Sequence, residues 1–159
     1  SAIPIRGQSG DPDVDTDGTL LFSGTTVEQI AVLYQLPHSW NSTDVRPHLH
    51  WSKTTDAAGD VIWQYRYRVF NNGTVAPDWS EWIAASSRSQ AVAADQSVII
   101  DGFGSIAMAG MRASCMLSIQ YRRNASDAAD TYAADARLWD ADVHYRRYGL
   151  GSEREYPSA

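Results

Sequence analysis

The sequence predicts an all-β fold, an antiparallel sandwich or barrel, and three observations carry this prediction. Apolar and polar residues alternate with a period of two along most of the chain after residue 18. Turn signals such as NNG at 71–73 separate the alternating segments. Aromatic residues that favour strands are frequent, with six tryptophans and eight tyrosines among 159 residues. The alanine-rich residues 127–137 lack an apolar stripe at helical spacing, so we expect no crossover helix and hence antiparallel strands.

The alternation predicts roughly eight strands. They are expected at 19–22, 26–36, 45–52 and 61–70, and within 79–85, 96–103, 111–123 and 136–148. Trp63, Tyr65 and Leu117 lie on the more apolar faces of their segments, which predicts that all three are core residues. Pro47 has no backbone N–H to donate, so the strand at 45–52 is predicted to be an edge strand or to carry a bulge.

The chain is predicted to hold one folded domain and an arm. Residues 1–18 collect glycine, proline and aspartate without periodicity, which predicts an extended N-terminal arm. Residues 19–159 are predicted to form a single β-sandwich domain. Cys115 is the only cysteine, so an intrachain disulfide is excluded, and its apolar neighbours indicate a small buried side chain.

Charge and hydropathy exclude two classes of partner. The net charge is −6, which argues against nucleic acid because phosphate binding needs a concentrated basic face. No apolar run approaches the roughly 20 residues of a membrane span, so we expect no membrane partner.

Two short segments place histidines and carboxylates at strand spacing. His48 and His50 share one strand face, and Asp140, Asp142 and His144 share another. If those strands were neighbours, His48, His50, His144 and Asp142 would be candidate metal ligands. A cupin-like metalloenzyme is the corresponding alternative, but the HLHWSKTT segment lacks the glutamate that cupins place soon after their HxH. We therefore expect no metal, no other cofactor and no catalytic residues, and a protein that is not an enzyme.

Two further motifs leave alternatives open. DVDTDG at 13–18 is similar to the start of an EF-hand loop, but no helices flank it, so an acidic turn is favoured over a calcium site. In WSEW, Trp79 and Trp82 are predicted to stack on Arg66 or Arg68 if their strands adjoin. Together with Trp40, these tryptophans also suggest an alternative function, a carbohydrate-binding module.

Three segments resemble structural proteins of tailed bacteriophages. They are LPHSWNSTDVRPHLHWSKTTDAAGDVIWQYRYRV at 36–69, DADVHYRRYGLGSEREY at 140–156, and DTDGTLLFSG at 15–24, which precedes the first of them. The shared features are a His-Ser-Trp loop, a PHxHW strand, a Trp/Tyr-rich strand and a closing D-x-H-Y strand. The resemblance covers most of the chain and is poorest at 84–135.

The resemblance implies a virion component with a jelly-roll-like β-sandwich. It implies that the histidines and nearby aromatics are structural or interfacial, and this structural cluster comprises His48, His50, Trp51, Trp63, Tyr65 and His144. A capsid decoration (cement) protein is the favoured function, and a tail-associated module or head–tail accessory is the alternative.

A decoration protein implies specific partners. They are the major capsid protein and other copies of the same chain, in a homotrimer that closes the sheet edges. Ile3, Ile5 and Arg6 of the arm are the predicted capsid contacts. The expected location is the capsid exterior, after synthesis in the host bacterial cytoplasm.

Overall fold

A computed structural model describes residues 10–85, 93–100 and 103–147 and the strand at 3–5, with backbone alone for 3–5 and 98–100. Every regular element in this part of the chain is a strand, as the sequence predicts. The strands are β1 Ile3–Ile5, β2 Asp13–Val14, β3 Leu20–Phe22, β4 Glu28–Gln35, β5 Arg46–Lys53, β6 Trp63–Phe70, β7 Ile83–Ala84, β8 Val98–Ile100, β9 Met116–Arg123 and β10 Ala136–His144.

The ten strands form two antiparallel sheets in a jelly-roll arrangement. One sheet has the order β1-β4-β9-β6-β7 and the other β2-β3-β10-β5-β8. From β3 to β10 the chain crosses to the other sheet at every step except from β6 to β7. These eight strands thus divide equally between the two sheets, four in each. The expected all-β sandwich is confirmed, and the sandwich rather than the barrel is the form observed.

The N-terminal segment adds one strand to each sheet. β1 pairs with β4, and β2 pairs with β3. At these two strands the predicted arm pairs with strands of its own chain. The physical reason is that β3 and β4 would otherwise be sheet edges with unpaired N–H and C=O groups, which a short extended segment satisfies.

β5 is not an edge strand, which corrects the prediction made from Pro47. It is paired with β10 on one side and with β8 on the other. β8 reaches only Leu49 to Trp51, however, so Pro47 lies beyond its pairing and is opposite Val143 of β10. The bulge lies in the neighbouring strand, between Leu138 and Asp140.

The core between the sheets is aromatic at its centre. Trp63 packs edge-on against Phe22 and Trp51, with ring centroids 5.0 and 5.9 Å away. Tyr65 meets Phe103 edge-on at 4.9 Å. Trp63, Tyr65 and Leu117 are all buried, so the predicted core faces are confirmed. Cys115 is buried as well, and burial raises the pKa of its thiol.

One buried ion pair ties the loop at 124–135 to both sheets. Arg123 is fully buried and donates two hydrogen bonds to Asp130, at 2.7 and 3.0 Å. It also donates to the carbonyls of Ala134 at 2.7 Å, Phe22 at 3.3 Å and Tyr132. Arginine suits this place because its planar fork of five N–H groups serves a carboxylate and several carbonyls at once.

Three buried tyrosines should make the fold sensitive to alkali. Tyr34 donates to the carbonyl of Ala141 at 2.6 Å, and Tyr65 donates to that of Phe103 at 3.2 Å. Burial raises the pKa of Tyr65 to about 12, and it raises the pKa values of Tyr34 and Tyr121 further. The unfolded chain releases these protons near pH 10, at the ordinary tyrosine pKa of about 10. The stabilising contribution is therefore complete below about pH 10 and is lost as the pH rises towards the folded pKa values.

We accordingly expect the urea midpoint of unfolding to fall between pH 8 and pH 11. Tyr65→Phe should flatten this pH dependence, because it removes one proton that the folded state retains. The same substitution at the exposed Tyr145 is the matched control and should leave the pH dependence unchanged. Equal midpoints at the two pH values would contradict the assignment.

Candidate functional site

The predicted histidine and carboxylate residues meet on the outer face of one sheet. β5 and β10 are neighbours, with Asp142 opposite His48 and His144 opposite Arg46. Because alternate residues of a strand point to opposite faces, His48 and His50 point outward while Leu49 and Trp51 are buried. The candidate metal ligands were predicted to come together only if these two strands were neighbours, and the structure confirms that they are. We call His48, His50, Asp142 and His144 the His–Asp cluster.

Asp142 lies at the centre of the His–Asp cluster. One carboxylate oxygen is 3.7 Å from Nδ1 of His48, and the other is 3.7 Å from Nε2 of both His50 and His144. The rings of His48 and His144 lie with their centroids 3.9 Å apart. Side-chain exposure rises from 12% for His48 through 30% for His50 and 37% for Asp142 to 63% for His144. The cluster is therefore anchored in the sheet at one end and open to solvent at the other.

The oxygen of Asp142 that faces His48 is buried and accepts no hydrogen bond from the described residues. At 3.7 Å, the His48 nitrogen is beyond the 2.7–3.2 Å typical of a hydrogen bond. A buried carboxylate oxygen without a partner costs free energy, and such an atom calls for an explanation.

The His–Asp cluster is a surface site rather than an enclosed one. Its side chains lie outside the sandwich, whose interior is filled by the core described above. The cupin-like alternative centred on His48, His50 and His144, although the HLHWSKTT segment lacks the glutamate that cupins place soon after their HxH. The carboxylate beside the histidines is Asp142 of β10, the one named in the candidate ligand set from the sequence.

A cleft of about 640 Å³ opens beside His144. It is lined by Thr43, Asp44, Arg46, Ser105, His144, Tyr145 and Arg146. Two guanidinium groups in one cleft of an acidic protein favour an anionic group there. The sequence did not indicate this cleft, because its residues come from three separate segments.

The opposite sheet carries a stack of arginines and tryptophans, which we call the Arg–Trp stack. The guanidinium carbon of Arg68 lies 4.4 Å from the ring centroid of Trp79, and that of Arg66 lies 4.6 Å from Trp82. Arg122 of β9 lies 4.0 Å from Trp82. The predicted stacking is confirmed. The sequence missed Arg122 because its strand is distant in sequence from WSEW.

Trp40 does not fit the carbohydrate-binding alternative. Its side chain is 1% exposed, and its indole N–H donates to the carbonyl of Thr43 at 2.9 Å. It therefore cannot serve as a stacking platform for a sugar. Trp79 and Trp82 are half-buried and in contact with arginines, so they too present little free ring surface.

The acidic turn at 13–18 uses its carboxylates within the fold. Asp15 binds Arg137 at 2.6 Å, and Asp17 accepts two bonds from Thr19, at 2.6 and 2.9 Å. The hydrogen bond from Arg137 lowers the pKa of Asp15, and those from Thr19 lower the pKa of Asp17. A cation already pairs with Asp15, so these contacts favour the acidic turn over the calcium site.

The predicted capsid contacts lie in the N-terminal segment. Ile3 and Ile5 are the end residues of β1, the outermost strand of its sheet. Arg6 lies outside the described residues, as do residues 148–156 of the closing segment that resembles phage proteins.

Comparison with known proteins finds no matching family and no matching curated protein. Among solved structures, the chain is similar to one of infectious bursal disease virus, Gt strain, with a TM-score of 0.39 and 6% identity. The match covers 90% of this chain and 30% of the viral chain, so the chain spans less than a third of that protein. Similarity at this level has no bearing on function.

The described residues include no helix long and apolar enough to cross a membrane.

Proposed function

We propose that the protein is a structural component of a tailed-bacteriophage virion, a decoration protein that binds the outside of the assembled capsid. The observation that carries the proposal is the resemblance of 36–69 and 140–156 to phage structural proteins. These two segments are distant in sequence, yet β5 and the part of β10 that belongs to the second segment are paired at five positions, from His50–Asp140 to Arg46–His144. The PHxHW and D-x-H-Y motifs of the resemblance thus lie side by side in one sheet, as expected when a shared architecture underlies it.

The fold and the charge agree with this role. Jelly rolls with two packed sheets serve in viral capsid and lectin domains. A net charge of −6 suits a protein placed on the outside of a shell, away from the packaged DNA. The major capsid protein is the proposed partner.

A homotrimer is part of the proposal. β7 and β8 are the outer strands of the two sheets at the ends opposite the N-terminal strands. A closed ring of subunits would cover the free backbone edge of β8, Val98–Ile100.

The first test is the gene neighbourhood. Genes for a major capsid protein and a terminase beside this one are expected. A neighbourhood of carbohydrate-metabolism or other host genes would contradict the virion assignment.

Deleting residues 1–9 should abolish addition of the protein to undecorated capsids. The deletion removes β1, a sheet edge open to a neighbouring protein, together with the proposed contacts Ile3, Ile5 and Arg6. It ends before Gly10, whose carbonyl accepts a hydrogen bond from Gln29 and should be kept. Occupancy is measured by sedimenting capsids with purified protein and by cryo-electron microscopy.

The matched control replaces residues 1–9 with a glycine–serine segment of equal length. Both variants should keep the circular dichroism spectrum and the oligomeric state of the wild type. Full occupancy by either variant would refute the role of the arm. Loss of the oligomer would show instead that the arm packs on a neighbouring subunit.

A further inference from the structure

We propose that His48, Asp142 and His144 bind one divalent transition-metal ion of the zinc class. The three residues offer one ligand atom each, and these atoms all lie within 4.8 Å of one another. The proposal is independent of the virion role, since it concerns the isolated protein. It also differs from the expectation of no metal, which depended on the absence of a carboxylate near HLH in the sequence.

The donor set selects the class of ion. Two imidazoles and one carboxylate suit zinc, iron, nickel or copper, whereas calcium and magnesium take oxygen ligands almost exclusively. Three protein ligands with a fourth position for water is a common arrangement for zinc. The open position here is on the solvent side, next to the cleft that contains Arg46 and Arg146.

The distances suit an ion better than direct hydrogen bonds. Ligand atoms around a tetrahedral zinc at 2.0–2.1 Å are about 3.3 Å apart. One carboxylate oxygen of Asp142 is 3.7 Å from Nδ1 of His48 and the other is 3.7 Å from Nε2 of His144, and the three proposed ligand atoms lie within 4.8 Å of one another. These gaps are too long for hydrogen bonds, and rotation of the exposed His144 side chain would bring the three ligand atoms closer to the spacing of a zinc site.

The buried Asp142 oxygen is a second, independent indication. It accepts no hydrogen bond from the described residues, although it faces the His48 ring. A cation bound between these groups would satisfy it. The sheet supplies the rest of the preorganisation, because His48 and Asp142 are directly opposite on paired strands while the exposed His144 is free to adjust its rotamer.

His50 lies just outside this ligand set. Its Nε2 is 3.7 Å from the Asp142 oxygen that also faces His144, but it does not belong to the group whose ligand atoms are mutually close. We assign it a supporting contact to the carboxylate, since ligating carboxylates are themselves usually held by further polar groups.

Isothermal titration calorimetry tests the proposal on full-length protein without a histidine tag, stripped with a chelator and titrated with zinc chloride. One zinc ion per chain is expected, with elemental analysis as a second readout. Magnesium at the same concentration should give no binding. Zinc should also raise the melting temperature, because an ion that binds only the folded state stabilises it.

Two variants and one control make the test specific. Asp142→Asn and the double variant His48→Ala, His144→Ala should weaken zinc binding by at least roughly 100-fold, the upper range seen when groups around metal ligands are lost. His38→Ala is the control and should bind as the wild type does, because His38 bonds Ser114 and is the one histidine outside the His–Asp cluster.

The proposal is overturned if the wild type binds no zinc, or if both variants bind as it does. It is overturned equally if His38→Ala loses binding. The melting temperatures of the metal-free variants establish that they are folded. Asp142→Asn keeps the shape of a side chain that is 37% exposed, so this variant tests the site even if the double variant does not fold.

Discussion

Replacing Trp63 with alanine is expected to lower the free energy of unfolding by about 3–5 kcal/mol. Trp63 is 1% exposed and packs edge-on against Phe22 of β3 and Trp51 of β5 in the opposite sheet. The substitution would therefore leave a cavity at the contact between the sheets. Cavities of this kind cost the lost burial plus the lost packing of the surrounding atoms.

Trp139→Ala is the matched control for this experiment. Trp139 is 41% exposed, and its indole N–H donates a hydrogen bond to the hydroxyl of Ser52 at 3.0 Å. Its loss should cost no more than about 1–2 kcal/mol, the range of a single hydrogen bond with modest burial. Urea unfolding of both variants provides the comparison. If Trp63→Ala costs less than Trp139→Ala, Trp63 is not at the centre of the core.

Replacing Arg123 with alanine should cost a similar amount, about 3–5 kcal/mol, for an electrostatic reason. Arg123 is fully buried, and its removal would leave the Asp130 carboxylate buried without its counter-ion. The carbonyls of Phe22, Tyr132 and Ala134 would lose a donor at the same time. Breaking one side of a buried pair is far more costly than replacing the whole pair with apolar residues.

Arg123→Lys separates the effect of the charge from that of the hydrogen-bond geometry, and Arg68→Ala is the control. Lysine keeps the charge but cannot form the two-pronged contact with Asp130, so an intermediate loss is expected. Arg68 is half-buried and stacks on Trp79, so its removal should cost about 1 kcal/mol. Denaturant unfolding measures all three variants. An Arg123→Ala loss no larger than that of Arg68→Ala would show that the buried pair does not hold the loop.

Strand positions and faces could be predicted from the sequence because they depend on local alternation. The period of two assigned Trp63, Tyr65 and Leu117 to the core, and it assigned His48 and His50 to the outer face. The partners of each strand could not be predicted in this way. Pairing depends on the packing of segments far apart in sequence, which explains why β5 was expected at an edge and is internal.

The same limit applies to the candidate site. The alternation in DADVH predicted that Asp142 and His144 share a face, but their proximity to His48 depended on β10 inserting beside β5. Arg123 had no distinguishing signal either, because its burial requires Asp130 from a loop with no periodicity. The carbohydrate-binding alternative required Trp40 at the surface, but it is buried and its indole N–H donates to the carbonyl of Thr43.

The order of the strands has a consequence for biosynthesis. β9 and β10 are the last strands in the described sequence, yet each occupies the centre of its sheet, β9 between β4 and β6 and β10 between β3 and β5. Until a ribosome has made β9 and β10, β4 and β6 have no common neighbour, and neither do β3 and β5. The nascent chain thus cannot complete either sheet early, and closure must await the arrival of residues 116–144. Such late, long-range pairing is characteristic of slow folding, and until then the emerging strands depend on chaperones or on their own charge to avoid self-association.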